Sequence, residues 1–371
     1  MGEWDAWAGR ELDAVRAAGR WREVRDFDAR GPAGSGGVVS FAGNDYLGLS
    51  VHPAVVAAAH DALDRWGTGA GASRLVTGSR PVHSELERAL AEWKGEEAAV
   101  LFSSGYAANL GVLATFGWTG ARILSDERNH ASIVDGCRLA RADVAVWRHR
   151  DLDHLAALLD GDPRPALVVT DTVFSMDGDV APVDEIAELC RLHRALLVVD
   201  AAHAVLGPDG ALDDVQHLRV GTLSKALGSA GGFVAGPEAA ITLLVNRARP
   251  AIYSTAMPPA AAAAALSALG VVRSAEGEAL RARLRSFVHR AAPGHPTPIV
   301  PVVLGAEERA VAASAALLER GLLVPAIRPP TVAPGTSRLR VTLSAAHTDA
   351  QVDALLAALA ALDVGAATHA P

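Results

Sequence analysis

Lysine is scarce in this chain, and one lysine stands where it could do covalent chemistry. Among 371 residues only Lys94 and Lys225 occur. Lys94 ends a charged helical pattern before Gly95, where a cation complements the helix dipole. Lys225 follows the strand-like run 218–223 and precedes a glycine-rich turn, so its small neighbours leave room for a Schiff base with a carbonyl cofactor. An ordinary loop lysine fits the same pattern.

An acid and a histidine follow a second apolar run. Residues 196–199 read Leu-Leu-Val-Val and lead into Asp200, with His203 three positions later. A carboxylate at a strand end can face a ligand and keep a pyridinium nitrogen protonated by ion pairing. His203 could reach another edge of the same ring. The alternative is an aspartate that caps the next helix, followed by a surface histidine.

Two polar turns add candidate ligand contacts. Residues 103–109 read Ser-Ser-Gly-Tyr-Ala-Ala-Asn, follow an apolar run and open a helical pattern. Exposed backbone N–H groups and the helix dipole favour a phosphate at such a turn. Residues 126–132 follow another apolar run and place His130 where an imidazole could stack on a flat ring. A plain strand-to-helix turn and a surface histidine remain the alternatives.

The elements that must position these residues alternate between short apolar runs and helical patterns. This alternation predicts an α/β fold with a mostly parallel sheet that is covered on both faces. Ligands should then gather at the carboxyl ends of the strands. The predicted strands are 98–102, 122–125, 144–147, 166–170, 196–200, 219–224 and 232–236.

The pattern also predicts three segments. They are an N-terminal helix and linker over 1–40, a large domain over 41–256 and a smaller α+β domain over 257–371. The N-terminal helix is expected over 4–20, and the alanine-rich run 259–270 is expected to be a buried helix because it is too short and too poor in leucine to span a membrane. The other C-terminal predictions are strands 299–304, 322–327 and 338–343 and helices 307–320 and 349–362.

Composition excludes several classes of function. The chain is 50% hydrophobic and 20% charged with a net charge of -8, which is typical of a folded protein without a general attraction to nucleic acid or anionic membrane. Cys137 and Cys190 are far apart, so we expect two buried thiols, no disulfide and no metal site. The N-terminus lacks a signal-peptide pattern, and a cytoplasmic location is expected. The glycine-rich run 67–71 follows a helical pattern, which disfavours a nicotinamide enzyme.

The order of these features resembles the pyridoxal phosphate enzymes of the aspartate aminotransferase fold type, and among them the α-oxoamine synthases. The resemblance implies a fold type I α/β architecture with a mostly parallel large domain, a smaller α+β C-terminal domain and pyridoxal 5'-phosphate as the cofactor. The matching stretches are 43–49, 103–109, 129–132, 173–179, 222–225, 252–259 and 327–332.

The resemblance implies catalytic and cofactor-binding roles. Lys225 would form the Schiff base and act as the acid and base at the substrate Cα. Asp200 would pair with the pyridine nitrogen, His203 would contact the phenolic oxygen and His130 would cover the ring face. The remaining cofactor contacts implied are Gly105 and Tyr106 in the phosphate turn and the hydroxyls of Ser175 and Thr222.

It also implies substrate contacts. Arg328 is similar in position to the family's carboxylate-binding arginine, and its planar fork suits bidentate binding. The other substrate contacts implied are Arg22, Asn44, Thr331 and His130.

The implied reaction is a decarboxylative condensation of L-alanine with a pimeloyl thioester, carried by coenzyme A or acyl carrier protein. It gives 8-amino-7-oxononanoate for biotin biosynthesis. The alternatives are a glycine-using α-oxoamine synthase, such as a 2-amino-3-ketobutyrate ligase, and a non-catalytic homologue. The family further implies a homodimer with active sites at the subunit interface.

The chain departs from the family pattern just after Asp200. The family usually has a second acid there, whereas this chain has Ala201, and Ala204-Val205-Leu206-Gly207 replaces the usual glycine-rich segment. We expect altered hydrogen bonding around Asp200 and a differently packed loop.

Overall fold

The computed structural model describes residues 2–24, 26–206, 210, 212 and 214–362. The helices, in chain order, are α1 (Glu3–Ala17), α2 (Pro53–Trp66), α3 (Pro81–Lys94), α4 (Gly105–Phe116), α5 (Ala131–Leu139), α6 (Leu152–Asp160), α7 (Val183–His193), α8 (Glu238–Arg247), α9 (Arg249–Ile252), α10 (Pro259–Val272), α11 (Ala275–Ala291), α12 (Glu307–Glu319) and α13 (Asp349–Ala360). The strands are β1 (Ala29–Arg30), β2 (Ala33–Gly34), β3 (Val39–Ser40), β4 (Ala98–Phe102), β5 (Arg122–Asp126), β6 (Asp143–Trp147), β7 (Ala166–Asp171), β8 (Leu196–Asp200), β9 (His217–Thr222), β10 (Gly232–Gly236), β11 (Ile299–Gly305), β12 (Leu322–Leu323), β13 (Ala326–Ile327) and β14 (Ser337–Thr342).

A seven-stranded sheet forms the centre of the fold, in the order β4-β10-β9-β8-β7-β5-β6. The strands β5 to β9 pair in parallel, whereas β10 is antiparallel to both of its neighbours. The short link 223–231 between β9 and β10 explains this exception, because a parallel pair needs a longer crossover. The predicted α/β fold and its central strands are confirmed.

Helices cover both faces of this sheet, as a parallel sheet requires. Leu167 and Val169 of β7 belong to a core that also contains apolar residues of α4, α5 and α8. Val168, between them, points to the other face and joins a core with α6 and α7. The alternation along one strand therefore shows that both faces are buried.

Two smaller sheets lie outside the central one. The first is an antiparallel sheet of three strands in the order β11-β14-β13. The second has four strands, in which β12 pairs with β3 beside β2 and β1. The single strand predicted over 322–327 is wrong, because it is two short strands in different sheets. Pro325 stands between them and has no N–H to continue a ladder. The predicted domain boundaries stay predictions.

Two of the predicted helices differ in their burial. The N-terminal helix ends at Ala17, earlier than predicted, and none of its residues is buried. By contrast, the alanine-rich α10 is buried as predicted and packs against α2 and α3. In the part of the chain that the structure describes, none of the helices combines the length and apolar character needed to span a lipid bilayer.

Both cysteines are buried free thiols, as predicted. Burial raises the pKa of Cys137 to about 11 and that of Cys190 to about 12. Both groups therefore stay protonated near neutral pH and have little nucleophilic character.

The packing of α10 against α2 and α3 leads to a prediction about stability. Ala265 is fully buried, so Ala265→Leu should overpack the core and lower the free energy of unfolding by about 1–3 kcal/mol. Urea denaturation measures this loss. Ala315→Leu on the exposed side of α12 is the matched control and should change stability by less than about 0.5 kcal/mol. Equal losses in both variants would contradict the packing argument.

Candidate active site

The carboxyl ends of the parallel strands bring acidic residues to one edge of the sheet. Asp126, Asp171 and Asp200 end β5, β7 and β8, and Thr222 ends β9. Asp171 and Asp200 are register partners on adjacent strands. Two buried carboxyl groups therefore lie side by side at this edge of the sheet.

Lys225 lies directly against His203. Its Nζ atom is 2.7 Å from Nε2 of His203, and Nδ1 of His203 is 2.5 Å from the hydroxyl of Tyr46. Burial lowers the pKa of Lys225, and Asp200 and Asp171 oppose that shift. Burial and then the positive charge of Lys225 lower the pKa of His203 well below its usual range. A neutral imidazole therefore accepts a hydrogen bond from the lysine amine.

The carboxylate of Asp200 is buried and held from two sides. One oxygen, Oδ2, accepts a 2.6 Å hydrogen bond from Nδ2 of Asn109, and the other accepts one of 2.9 Å from the backbone of Ala202. Burial and then the charge of Asp200 raise the pKa of Asp171 well above its usual range. Burial and the Asp200 carboxylate therefore both favour the protonated form of Asp171.

His130 caps the start of α5. Its Nδ1 is 2.8 Å from the hydroxyl of Ser132 and 3.2 Å from the backbone nitrogen of Ser132. The backbone N–H of His130 donates to Asp171 at 2.7 Å, which ties the histidine to the strand edge. Burial lowers the pKa of His130, although the nearby charge of Asp200 opposes this shift.

The predicted phosphate turn lies at the first turn of α4. Ser104 caps the helix by accepting a hydrogen bond of 3.1 Å from the backbone of Ala107, and the helix begins at Gly105. A Cβ atom on Gly105 would lie 3.3 Å from Cβ of Thr222, so the turn is packed closely against the end of β9. Tyr106 is 42% exposed, and its hydroxyl donates to Asp135. The free N–H groups of a helix start beside a threonine hydroxyl fit an anion.

This donor set fits pyridoxal phosphate. An amine whose pKa is lowered by burial, a buried carboxylate, an imidazole at the strand edge and a helix start lie at one end of the sheet. They match the aldehyde, the ring nitrogen, the ring face and the phosphate of that molecule in chemical type.

The predicted substrate contacts fall into two groups. The amide oxygen of Asn44 accepts from the hydroxyl of Tyr46 at 3.3 Å and from Arg340 at 3.2 Å, so Asn44 belongs to the lysine cluster. Arg328 donates to the carbonyl of Gly19, and the backbone of Thr331 donates to that of Arg328 at 3.1 Å. Arg22 is exposed, three residues beyond Gly19. Within the described residues, no hydrogen bond joins this second group to the lysine cluster.

The carbonyl of Ser175, rather than its hydroxyl, makes the contact that the structure shows for this residue. It accepts a 2.5 Å hydrogen bond from Nε of the buried Arg340. Burial lowers the pKa of Arg340, and its positive charge in turn helps to keep His203 neutral.

Sequence reasoning missed five residues of this cluster: Tyr46, Asn109, Ser132, Asp171 and Arg340. Tyr46, Asn109 and Ser132 stand inside stretches that resemble the family, but no role was assigned to them. Asp171 ends an apolar strand just as Asp200 does, and this pattern could have identified it. Arg340 carries no distinguishing signal in an arginine-rich chain.

The segment after Asp200, where the chain departs from the family pattern, forms a turn. With Ala201 at the next position, the bonds to the Asp200 carboxylate come from Asn109 and the backbone of Ala202. The backbone of Ala204 donates to Ala201 at 3.1 Å and closes a turn there. Gly207, at the end of the altered segment, lies outside the described residues.

A second buried network lies behind the site. His149 binds Asp126 through Nδ1 at 2.9 Å and Asp179 through Nε2 at 2.6 Å, and its ring packs edge-on against Phe174. Burial alone would lower the pKa of His149, but the hydrogen bonds to both carboxylates outweigh it and raise the pKa to about 9. The charged imidazole therefore ties the loop after β7 to the end of β5.

Comparisons with known proteins match the chain over nearly its full length. The family model for class I and II aminotransferases matches residues 37–359. The 8-amino-7-oxononanoate synthase of Anaeromyxobacter dehalogenans (strain 2CP-1 / ATCC BAA-258) is 52% identical, covering 96% of this chain and 95% of that protein. The protein of the same name from Methylobacterium sp. (strain 4-46) is 51% identical, covering 98% and 97%.

Solved structures give the same picture. A serine palmitoyltransferase variant from S. paucimobilis, solved with a bound PLP–myriocin aldimine, has a TM-score of 0.88 at 30% identity, covering 98% of each chain. The 8-amino-7-oxononanoate synthase from Francisella tularensis has a TM-score of 0.73 at 28% identity, covering 88% of this chain and 96% of that one.

The His149 network generates a pH-dependent stability prediction. The pKa of His149 is about 9 in the folded chain against 6.5 in an unfolded one, so its contribution is fully present below pH 6.5 and is lost as the pH rises through 9. We expect His149→Gln to lower the free energy of unfolding by about 3 kcal/mol at pH 6 and by much less at pH 10.

Urea denaturation across this pH range measures the difference. The exposed His60 provides the control, because His60→Gln should leave the pH profile of stability unchanged. A constant difference between wild type and His149→Gln from pH 6 to 10 would rule out the charged imidazole.

Proposed function

Since the chain belongs to the class I and II aminotransferase family of pyridoxal phosphate enzymes, we propose that it condenses L-alanine with a pimeloyl thioester. The products are 8-amino-7-oxononanoate, carbon dioxide and the free carrier thiol, as biotin biosynthesis requires. The observation that carries this proposal is the amine of Lys225, 2.7 Å from a neutral His203 and close to the charged Asp200. The names of the curated relatives support the choice of reaction.

The residues at the strand edge would hold the cofactor. Lys225 would bind its aldehyde carbon, Asp200 would keep a proton on its ring nitrogen and His203 would contact its phenolic oxygen. His130 would cover the ring face. The first turn of α4, at Gly105 and Tyr106, would bind the phosphate, with the hydroxyls of Ser175 and Thr222 nearby. When bound, the cofactor supplies an electron sink that stabilises negative charge at the substrate Cα.

Lys225 would also move the protons of the reaction. Its amine takes the proton from Cα of the bound alanine, after which that carbon forms a bond to the thioester carbonyl carbon and the thiolate leaves. The amino-acid carboxylate then departs as carbon dioxide, and Lys225 returns a proton to Cα. An amine must be neutral to act as the base, and burial favours that form of Lys225.

The substrate carboxylates would be bound by arginines of the second group. Arg328 is the proposed partner of the amino-acid carboxylate, because its guanidinium already donates to an uncharged carbonyl, that of Gly19, and a carboxylate is a stronger acceptor. Arg22, Thr331, Asn44 and His130 are the further proposed substrate contacts. Retention of Lys225 with its full set of buried partners argues against a non-catalytic homologue.

We propose that a second copy of the chain completes the protein as a homodimer with active sites at the interface. Large apolar side chains are exposed, among them Trp4, Trp7 and Tyr253, and a partner chain would bury such groups. The cytoplasmic location remains a prediction.

The two lysines provide a matched test of the covalent role. Lys225→Ala should remain folded and lose about 10³-fold or more in turnover, because the amine supplies both the cofactor bond and the proton transfer. Borohydride reduction in the presence of pyridoxal phosphate should label wild type and Lys94→Ala but not Lys225→Ala. Lys94 ends a helix outside the site, and its replacement should leave turnover near the wild-type value. Turnover of Lys225→Ala within a few-fold of wild type would overturn the proposal.

Amino-acid selectivity decides between the proposed reaction and its alternative. We expect the purified protein with pyridoxal phosphate and pimeloyl-coenzyme A to release product from L-alanine at least about tenfold faster than from glycine, a difference of about 1.4 kcal/mol. Mass spectrometry of the product and carbon dioxide release provide the measurements. A strict preference for glycine would assign the chain to a glycine-using synthase, and inactivity with every amino acid would favour a non-catalytic homologue.

A further inference from the structure

A chain of buried hydrogen bonds joins two of the proposed cofactor contacts, His130 and Asp200. Nδ2 of Asn109 lies 2.6 Å from Oδ2 of Asp200 and 2.9 Å from Oγ of Ser132. That same Oγ lies 2.8 Å from Nδ1 of His130. Asn109 and Ser132 are each 1% exposed, so water does not compete for these bonds. The start of α5 and the end of β8 are therefore connected through one side chain of α4.

The charge of Asp200 fixes the orientation of the Asn109 amide. A carboxylate only accepts hydrogen bonds, so the amide group that faces it must be the NH2. Its two hydrogens go to Asp200 and Ser132, and the amide oxygen is left buried without a partner. Turning the amide over would place its oxygen against the Asp200 carboxylate and leave the NH2 buried without an acceptor. A buried unpaired oxygen costs about 1–3 kcal/mol, so the fold tolerates this cost to keep the NH2 on the carboxylate.

The same bonds determine where the proton of His130 lies. Because Oγ of Ser132 accepts from Asn109, its own hydrogen is free to donate to Nδ1 of His130. The backbone N–H of Ser132 donates to that nitrogen as well, at 3.2 Å. Nδ1 therefore acts only as an acceptor, and a neutral imidazole must carry its hydrogen on Nε2.

We propose that Asn109 and Ser132 are positioning residues that hold Asp200 as a carboxylate and His130 as the neutral Nε2–H tautomer. Their role in the reaction rests on the proposed function, whereas the tautomer of His130 does not. With Asp200 ionised and His130 uncharged, the site presents one negative charge to the ring nitrogen and an N–H donor at the ring face. Neither residue touches a reacting atom, and each acts through its neighbour.

The chain offers a control of nearly identical chemistry. Oγ of the buried Ser125 also accepts a 2.9 Å hydrogen bond from a buried asparagine amide, that of Asn129, but it has no bond to the ring of His130. Ser125→Ala and Ser132→Ala thus remove the same kind of bond from the same core. Only the second removes a donor to Nδ1 of His130.

Nitrogen-15 NMR of the histidine side chains tests the proposal on the full-length protein as purified, with the His130 signals identified by their absence from His130→Asn. Wild type should show an unprotonated Nδ1 and a protonated Nε2 at neutral pH. In Ser132→Ala the Nδ1 signal of His130 should move, because one of the two donors to that nitrogen is gone while the backbone N–H of residue 132 remains, whereas in Ser125→Ala the His130 signals should stay at the wild-type positions. Ser132→Thr, which keeps the hydroxyl, should restore the wild-type signals.

Kinetics supply the second readout. Asn109→Ala should reduce kcat/KM by about tenfold to a hundredfold, as the loss of a hydrogen bond to a charged group does. It should also move the pH dependence of the visible absorbance of the bound cofactor. His130 signals that are the same in Ser132→Ala and wild type, or that shift equally in Ser125→Ala, would overturn the proposal. If the tautomer behaves as expected while no condensation activity is found, the proposed function fails and this inference stands.

Discussion

The structure of the site depends on burying one negative charge, that of Asp200, at the edge of the sheet. An unpaired carboxylate in an apolar interior is strongly unfavourable. Here the charge is stabilised by Asn109, by the backbone of Ala202 and by the nearby amine of Lys225. Burial and then the charge of Asp200 raise the pKa of its register partner Asp171, which favours the protonated form of that acid. Strand register thus places a second buried acid beside Asp200, and the charge of Asp200 acts on the pKa values of Asp171, His130 and Lys225.

The conformation of the turn that carries Lys225 is constrained by close contact with the backbone around Ser50. It joins β9 to the antiparallel β10, and Gly228 within it has a φ of +57°. A Cβ atom on Gly228 would lie 2.3 Å from the backbone nitrogen of Ser50, so only glycine fits there. The turn therefore packs directly on the segment that follows Tyr46, whose hydroxyl contacts His203. The exception in strand direction and the position of the lysine have one origin, the short link between two strands.

Sequence patterns were sufficient to predict the strands that carry this site, but not the hydrogen bonds between its side chains. The apolar runs that lead into Asp200 and Lys225 predict that these two residues lie close together, because the carboxyl ends of parallel strands share an edge of the sheet. The bond between Asn109 and Asp200 depends on how α4 lies across the sheet, and periodicity does not report that. Arg340 reaches the cluster from the small sheet β11-β14-β13, across a boundary that no local pattern crosses. Pro325 could have predicted the separation of β12 from β13, since proline interrupts the hydrogen bonds of a strand. The apolar residues on both sides of it favoured a single strand instead.

His203 and His130 have opposite tautomers, because their hydrogen-bond partners differ. The amine of Lys225 occupies Nε2 of His203 as a donor, so the neutral ring carries its hydrogen on Nδ1 and donates to Tyr46. The Tyr46 hydroxyl can then donate to Asn44. In His130 the hydroxyl of Ser132 donates to Nδ1, so the hydrogen is on Nε2. Burial lowers the pKa of both rings, and the direction of the bonds is set by the Lys225 amine at His203 and by the donors of Ser132 at His130. Both nitrogens of His203 and Nδ1 of His130 are thus engaged in hydrogen bonds of defined direction. These bonds fix the tautomers of the two rings that lie beside the Asp200 carboxylate and the Lys225 amine.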